Sequence, residues 1–274
     1  IAHRLGKEQT RGLTISTFHS LGMRILREDA PSVGYERNFS VLDASDSQKI
    51  LTEILGSSGR EPVFKAQHQI SLWKNRLQTP EEAVQAASDD WERQTAQVYA
   101  SYQETLLHYQ AVDFDDLIRL PVLLLQEHSE IRLKWQQRLR YLLVDECQDT
   151  NACQYALLRC LAGLEGQFTA VGDDDQSIYA WRGANMENLR RLQEDYPQLK
   201  MIKLEQNYRS VGTILQAANA VIAHNTDRLG KNLHTEAEAG EKIRFFSAFN
   251  DLEEAKWMVD EIKSLHGENH TLAQ

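Results

Sequence analysis

Residues Tyr141–Thr150 read YLLVDECQDT. Tyr141–Val144 is a short apolar run without a polar interruption, the pattern of a strand covered on both faces in a parallel sheet. It ends in Asp145 and Glu146, so two carboxylates stand at the carboxyl edge of that sheet, where α/β folds bind ligands. Mg²⁺ keeps several waters and takes one or two carboxylates plus phosphate oxygens, so a single strand-end Asp is a sufficient anchor. The adjacent Glu146 can orient or deprotonate a water that attacks a γ-phosphate. The same residues also read as an acidic strand-to-helix turn in which Asp149 or Thr150 caps the next helix.

Working outward, four more runs have strand character: Leu13–Thr17, Phe168–Gly172, Met201–Leu204 and Ile243–Ser247. Between and beyond them, residues 151–161, 185–196 and 210–224 carry apolar side chains at three- and four-residue spacing, the signature of amphipathic helices. In the last of these Ile214, Ala217, Ala218, Val221 and Ile222 share a face, with Ser210 as the expected cap. Strands alternating with such helices imply an α/β fold with a parallel sheet. Residues 21–110 differ, being almost wholly helical in period, with breaks at Gly56–Gly59 and Thr79-Pro80. They read as a large all-helical subdomain inserted between strand-bearing regions. The expected division is 1–20 and 111–206 as one α/β domain, 21–110 as the insertion, and 207–274 as the start of another domain. Its last helix spans 251–266, capped by an Asp251/Glu254 pair and ending at Gly267.

Composition narrows the class. The 274 residues are 42% hydrophobic and 26% charged with 5 prolines, so neither a long disordered tail nor a collagenous chain fits. The longest apolar run, Leu120–Leu125 with Pro121 inside it, is far short of the ~18–20 residues of a membrane span. No basic-then-apolar leader signals secretion. The net charge of −10, from 30 Lys+Arg against 40 Asp+Glu, argues against a nonspecific phosphate-coating protein. It leaves local nucleic-acid contacts open. Cys147, Cys153 and Cys160 follow no metal-ligand spacing and read as reduced thiols of a cytoplasmic protein. The nine histidines show no HExxH-type spacing either. In the helical block, Lys65, Trp73, Lys74 and Arg76 are a candidate duplex-contacting face, or simply a solvated one.

Two further stretches carry chemistry. Residues 168–184 read FTAVGDDDQSIYAWRGA, a strand followed by a polar loop and then aromatics beside an Arg. The Gln176 amide at that strand end can donate to a phosphate and accept from water. Tyr179 and Trp181, next to Arg182, suit stacking on unpaired bases. Residues 204–210 read LEQNYRS, in which Tyr208 can stack on a purine and Arg209 can reach a transferring phosphate.

In this order and spacing, DECQDT, GDDDQSIYAWRGA and LEQNYRS resemble motifs II, III and IV of superfamily 1 DNA helicases of the Rep/UvrD/PcrA type, with the Rep branch the nearest. Thr17-Phe18-His19-Ser20 resembles their early single-strand-contacting motif, and Asp113-Phe-Asp-Asp-Leu-Ile118 the segment after their helical insertion. The resemblance implies RecA-like P-loop NTPase folds, with ATP held between two of them and single-stranded DNA crossing their top. It implies Asp145 as the Mg²⁺ ligand, Glu146 as catalytic base, and Gln148 and Gln176 as links between nucleotide and DNA. It further implies Phe18, His19, Tyr179 and Trp181 along the DNA, Arg182 in the coupling network, Tyr208 under adenine and Arg209 at the γ-phosphate. An ATP-dependent 3′–5′ helicase of the bacterial cytoplasm and nucleoid is the implied activity. Its substrates would be single-stranded and 3′-tailed duplex DNA, and its partners replication or repair proteins.

One departure bears on activity. No G-x-x-x-x-G-K-[ST] phosphate loop occurs in the 274 residues. The chain therefore reads as a central portion of such a helicase, expected to be inactive as an ATPase alone. The rival expectation is a noncatalytic single-stranded-DNA-binding or regulatory module that has lost the loop. Asp145, Glu146, Gln176 and Arg209 favour the motor, because a pure DNA binder needs none of them. Cys147 stands where the family usually carries an aromatic, which implies a packing change.

Overall fold

The computed structural model describes residues 2–6, 8, 10, 12–56, 59–163, 166–180, 183–184, 186–226 and 228–267. The chain divides into two compact units, Ile1–Lys200 and Met201–Gln274. In order, the first contains α1 (Ala2–Leu5), α2 (Phe18–Asp29), β1 (Ser40–Val41), α3 (Ala44–Leu55), α4 (Arg60–Asn75), α5 (Pro80–Ala86), α6 (Asp90–His108), β2 (Ala111–Val112), α7 (Asp116–Glu127), α8 (Ser129–Arg138), β3 (Leu142–Val144), α9 (Ala152–Ala162), β4 (Phe168–Ala170) and α10 (Glu187–Asp195). The second contains α11 (Gly212–Ile222) and α12 (Asp251–Gly267).

β3 and β4 pair in parallel, with Leu142 opposite Phe168 and Val144 opposite Ala170, and α9 is the crossover between them. The pairing runs on past the strands: Val171 N–H donates to the Val144 carbonyl at 2.8 Å and Cys147 N–H to the Val171 carbonyl at 2.9 Å. The two strand ends are thus held side by side. Asn151, rather than Asp149 or Thr150, caps α9. Its Oδ1 accepts from Gln154 N–H at 2.8 Å while Gln154 Oε1 accepts from Asn151 N–H at 2.9 Å, a reciprocal box. Thr150 Oγ1 instead donates to the Cys147 carbonyl at 2.7 Å and tightens the turn.

The helices α3–α6 enclose their own apolar cluster, including Leu51, Ile70, Trp73, Ala96, Tyr99, Tyr102 and Leu106. The expected breaks hold. Gly56 ends α3 in the left-handed region, and Thr79 opens α5 with a capping box to Glu82 and Pro80 behind it. Two-residue β1 and β2, paired in parallel, bracket this block and were not expected. A second cluster, with Ile25, Val122, Leu125, Trp135 and Leu157, packs α2, α7, α8 and α9 together. α2 approaches α7 so closely that a Cβ on Gly22 would lie 1.8 Å from the Leu117 carbonyl oxygen. That contact accounts for a glycine inside a helix.

Three expected strands are corrected. Leu13–Thr17, Met201–Leu204 and Ile243–Ser247 are not strands, and Ile15, Ile202, Leu204 and Phe245 are exposed. A strand exists only where a neighbour takes up its backbone N–H and C=O groups. Among the described residues these runs gain no ladder; nearby, only Gln206 bridges, in parallel, to His234. Ser210 does not cap α11: Val211 occupies the cap position without a side-chain bond. The apolar face foreseen for that helix is largely exposed, with Leu215 its one buried side chain among the described residues. α12 starts as expected, but Asn250 is its cap, accepting from Glu253 N–H at 2.9 Å.

The proposed basic face of the helical block also fails. Trp73 and Lys74 are buried at 5% and 0% exposure and point into the fold, while Lys65 pairs with Glu61 at the surface. Lys74 Nζ lies 2.6 Å from Asp113 Oδ2 and 2.7 Å from Asp116 Oδ2, tying α4 to the start of α7. Tyr102 donates to the same Asp113 oxygen at 3.0 Å, and Arg119 stands 3.5 Å from Asp116 Oδ1. Asn75 extends this link, donating to Asp115 at 2.9 Å and accepting from the Asn151 side chain at the cap of α9.

Candidate functional site

Asp145 and Glu146 follow β3 directly and both are exposed. Glu146 adopts φ 51°, ψ 45°, a left-handed conformation that costs a non-glycine residue roughly 1–2 kcal/mol. The turn lifts its carboxylate out of the strand path. Cys147 then turns inward and is fully buried, and burial pushes its thiol up to about 11. All three cysteines are free.

Gln148 is the centre of the site, with 1% exposure. Its Nε2 donates to Glu146 Oε2 at 2.8 Å, and its Oε1 accepts the Asp173 backbone N–H at 3.0 Å. Asp173 Oδ2 in turn accepts from Gln176 Nε2 at 2.8 Å. A single hydrogen-bonded chain therefore joins the ends of β3 and β4 and connects Glu146 to Gln176. Gly172 makes room for it, since a Cβ there would stand 3.0 Å from Gln148 Oε1. Asp149 lies behind, with its carboxyl held above the usual range by burial first and by Glu146 second. Asp173, Asp174 and Asp175 cluster within ligand distance of one another, an acidic group that the sequence reading assigned no role.

Thr17 caps α2, its Oγ1 accepting from Ser20 N–H at 3.2 Å, which sets Phe18 and His19 on the first turn of that helix. Both are half-buried, Phe18 against the α2/α7 cluster. Burial lowers the His19 pKa, so its ring is neutral at pH 7. His19 meets the exposed Phe114 ring edge-to-face at 6.1 Å. Phe114 is an addition to the predicted DNA-facing residues; an apolar ring between the acids Asp113 and Asp115 is its signal in the sequence. Among the described residues, no hydrogen bond links Phe18 or His19 to the strand-end chain.

Tyr179 follows the Asp174–Gln176 turn and is exposed at 37%. Trp181 and Arg182 lie outside the described residues. In the second unit, Asn207 Oδ1 accepts from the backbone N–H groups of Arg209 (2.9 Å) and Ser210 (2.8 Å), an Asx turn. This turn presents Tyr208 (87% exposed) and Arg209 to solvent.

Two family models match the chain. The family model described as the UvrD/REP helicase N-terminal domain matches residues 1–197, and that of the UvrD-like helicase C-terminal domain matches residues 202–274. The chain belongs to the UvrD/REP helicase family. Among its relatives, ATP-dependent DNA helicase Rep of Escherichia coli K12 is 44% identical over 274 residues, covering 99% of this chain and 41% of the relative. ATP-dependent DNA helicase PcrA of Staphylococcus epidermidis is 42% identical over 266 residues (96% and 36%), and PcrA of Leuconostoc citreum 39% over 274 (98% and 37%). The chain thus spans about two-fifths of the length of the relatives it matches. Membership in this family implies a RecA-like fold, in keeping with the helix-rich chain and its small parallel sheets. No helix among the described residues is long and apolar enough to cross a membrane.

Proposed function

We propose that this chain is the part of an ATP-dependent 3′–5′ DNA helicase that activates the hydrolytic water and couples it to single-stranded DNA. The observation that carries this reading is the hydrogen-bonded chain Glu146–Gln148–Asp173–Gln176 at the carboxyl ends of two paired parallel strands. A turn built only to cap a helix has no use for a buried glutamine that fixes an exposed glutamate.

The donor set suits Mg²⁺ and ATP: Asp145 offers an exposed carboxylate beside Glu146 at a sheet edge. Bound Mg²⁺ and ATP supply the cation and the phosphoryl group. Asp145 would hold the cation. Gln148 holds Glu146 Oε2, which leaves Oε1 to take a proton from water. Gln176 sits one residue pair further along and carries the state of the site toward Tyr179, Trp181 and Arg182. Phe18, His19 and Phe114 add a second aromatic row for DNA. Tyr208 and Arg209 are assigned to adenine and the γ-phosphate by their family motif. In domain terms, residues 1–29 and 111–200 belong to the first RecA-like domain, α3–α6 form its helical insertion, and the second domain starts at Met201.

The net charge of −10 makes DNA binding by the chain alone weak and salt-dependent, and without a phosphate loop in its 274 residues it hydrolyses no ATP. The full protein acts on single-stranded and 3′-tailed duplex DNA in the bacterial cytoplasm, at the nucleoid, with replication or repair proteins. Fluorescence anisotropy with a labelled oligonucleotide tests the DNA side: Trp181→Ala should weaken binding by about 1–3 kcal/mol with little sequence preference. Unchanged affinity would refute the stacking role, and DNA-stimulated ATP turnover by the chain alone would refute its assignment as inactive.

A further inference from the structure

At the opposite end of β3 and β4 from Glu146, a groove of about 950 Å³ is lined from α8, α9 and the segments that enter the two strands. That volume is near the top of the range of about 300–1,000 Å³ seen for ligand pockets. Leu133, Leu139 and Tyr196 contribute apolar lining, and Arg132, Arg140 and Arg159 contribute charge. Arg132 donates to the carbonyls of Leu125 (2.9 Å) and Gln126 (3.4 Å) in the last turn of α7 and makes no ion pair among the described residues. Arg140 is exposed and makes no hydrogen bond or ion pair among the described residues. Asp195 is the one carboxylate among the described lining residues, and it is already engaged by Arg159 at 3.2 Å and the Tyr155 hydroxyl at 2.7 Å. An excess of positive charge thus collects in one concave site of a chain whose net charge is −10.

We propose that this groove docks an acidic peptide segment of another protein, with its carboxylates on Arg132 and Arg140 and its apolar side chains against Leu133, Leu139 and Tyr196. Arginine is suited to this because its planar fork pairs bidentately with carboxylates. A nucleic-acid backbone is the poorer match, because phosphate binding calls for an extended basic face and gains nothing from apolar lining. The rest of the chain repels an acidic peptide, so binding depends on the groove itself. Its position at the far end of the strands leaves Glu146 and the aromatic loop unobstructed.

The test is an anisotropy titration of the chain with a short labelled peptide alternating Asp with Leu and Phe. The expected result is saturable binding that weakens with salt. It should drop about tenfold with Arg140→Glu and by a smaller factor with Arg140→Lys, which keeps the charge but loses the bidentate fork. Because Arg140 is exposed, circular dichroism should show the variant folded; Leu133→Asp, at another exposed position, probes the apolar lining separately. An Asn-for-Asp peptide should bind more weakly. No saturable binding, equal binding by Arg140→Glu, or displacement of the peptide by a dT oligonucleotide would each overturn the proposal. None of these outcomes depends on ATP chemistry, so they leave the helicase reading untouched.

Discussion

Replacing Lys74 by Met keeps the length of the side chain and removes its charge from a position with 0% exposure. In the native fold, burial opposes the charge on Lys74, but Asp113 and Asp116 outweigh it and hold its pKa above the usual lysine range. Burial, then Asp116, pushes the Asp113 carboxyl up to about 6, while Lys74 and Arg119 overcome burial and keep Asp116 below the usual range. With Lys74 gone, the two carboxylates keep Arg119 as their cation, at 3.5 Å from Asp116. Breaking a buried pair from one side costs about 3–5 kcal/mol. Against a domain stability of about 5–15 kcal/mol, that is a large share. The sign of the pH dependence follows from linkage. A carboxyl whose folded pKa is raised binds its proton more tightly in the native state, so its stabilising contribution is full below the unfolded value near 3.9 and is lost as pH rises through the folded one. Lys74→Met raises the Asp113 carboxyl further and releases Asp116 from the charge that holds it low, so its penalty should grow from pH 5 to pH 8. Urea unfolding at several pH values, followed by tryptophan fluorescence, measures this. A penalty below about 1 kcal/mol at pH 8, typical of a surface pair, or a pH-independent gap would refute the reasoning. Lys74→Met combined with Asp113→Asn and Asp116→Asn should recover part of the loss.

Other outcomes follow from single contacts. Gly22→Ala should lower stability by about 1–3 kcal/mol through overpacking against Leu117, despite alanine's better helix propensity; an unchanged Tm would contradict the close approach. Gln148→Glu keeps the size but sets a carboxylate against Glu146 and removes the buried donor, and should cost about 1–3 kcal/mol in denaturant unfolding. Glu146→Asn suits the left-handed region but takes the carboxylate acceptor from the buried Gln148 amide, so it should lower stability by about 1–3 kcal/mol while removing the candidate base. An unchanged Tm would show that the Gln148–Glu146 bond does not hold the turn together.

The parts of the fold that were legible in the sequence are those fixed by local chemistry. β3 and β4 are continuous apolar runs, although Leu143, 76% exposed, leaves β3 open on one face rather than covered on both, and Thr79-Pro80 and Gly56 are punctuation with a single meaning. What escaped is what pairing decides. Leu13–Thr17 and Met201–Leu204 have strand composition, but composition does not supply a neighbour to bond to. β1 and β2 are two residues each, too short for any period to show. The cluster of Lys74 with Asp113 and Asp116 joins positions 39 and 42 residues apart, so no local pattern distinguishes Lys74 from a lysine of a basic face. At the site, Asp145 and Glu146 were visible as strand-end residues, whereas Gln176 lies not at the end of β4 but in the Asp174–Gln176 turn beyond it. The role of Gln148 as the bridge between them was not visible, because its two bonds run to a side chain two residues back and to a backbone amide 25 residues ahead.

Phosphate release by a chimera, in which this chain replaces the matching part of Escherichia coli Rep so that a phosphate loop is present, tests the central claim most directly. DNA-stimulated hydrolysis should fall by about 10²–10⁴ on Glu146→Gln, the share typical of a general base, with oligonucleotide binding retained. Hydrolysis that survives Glu146→Gln unchanged would contradict the assignment of the strand-end glutamate as the base.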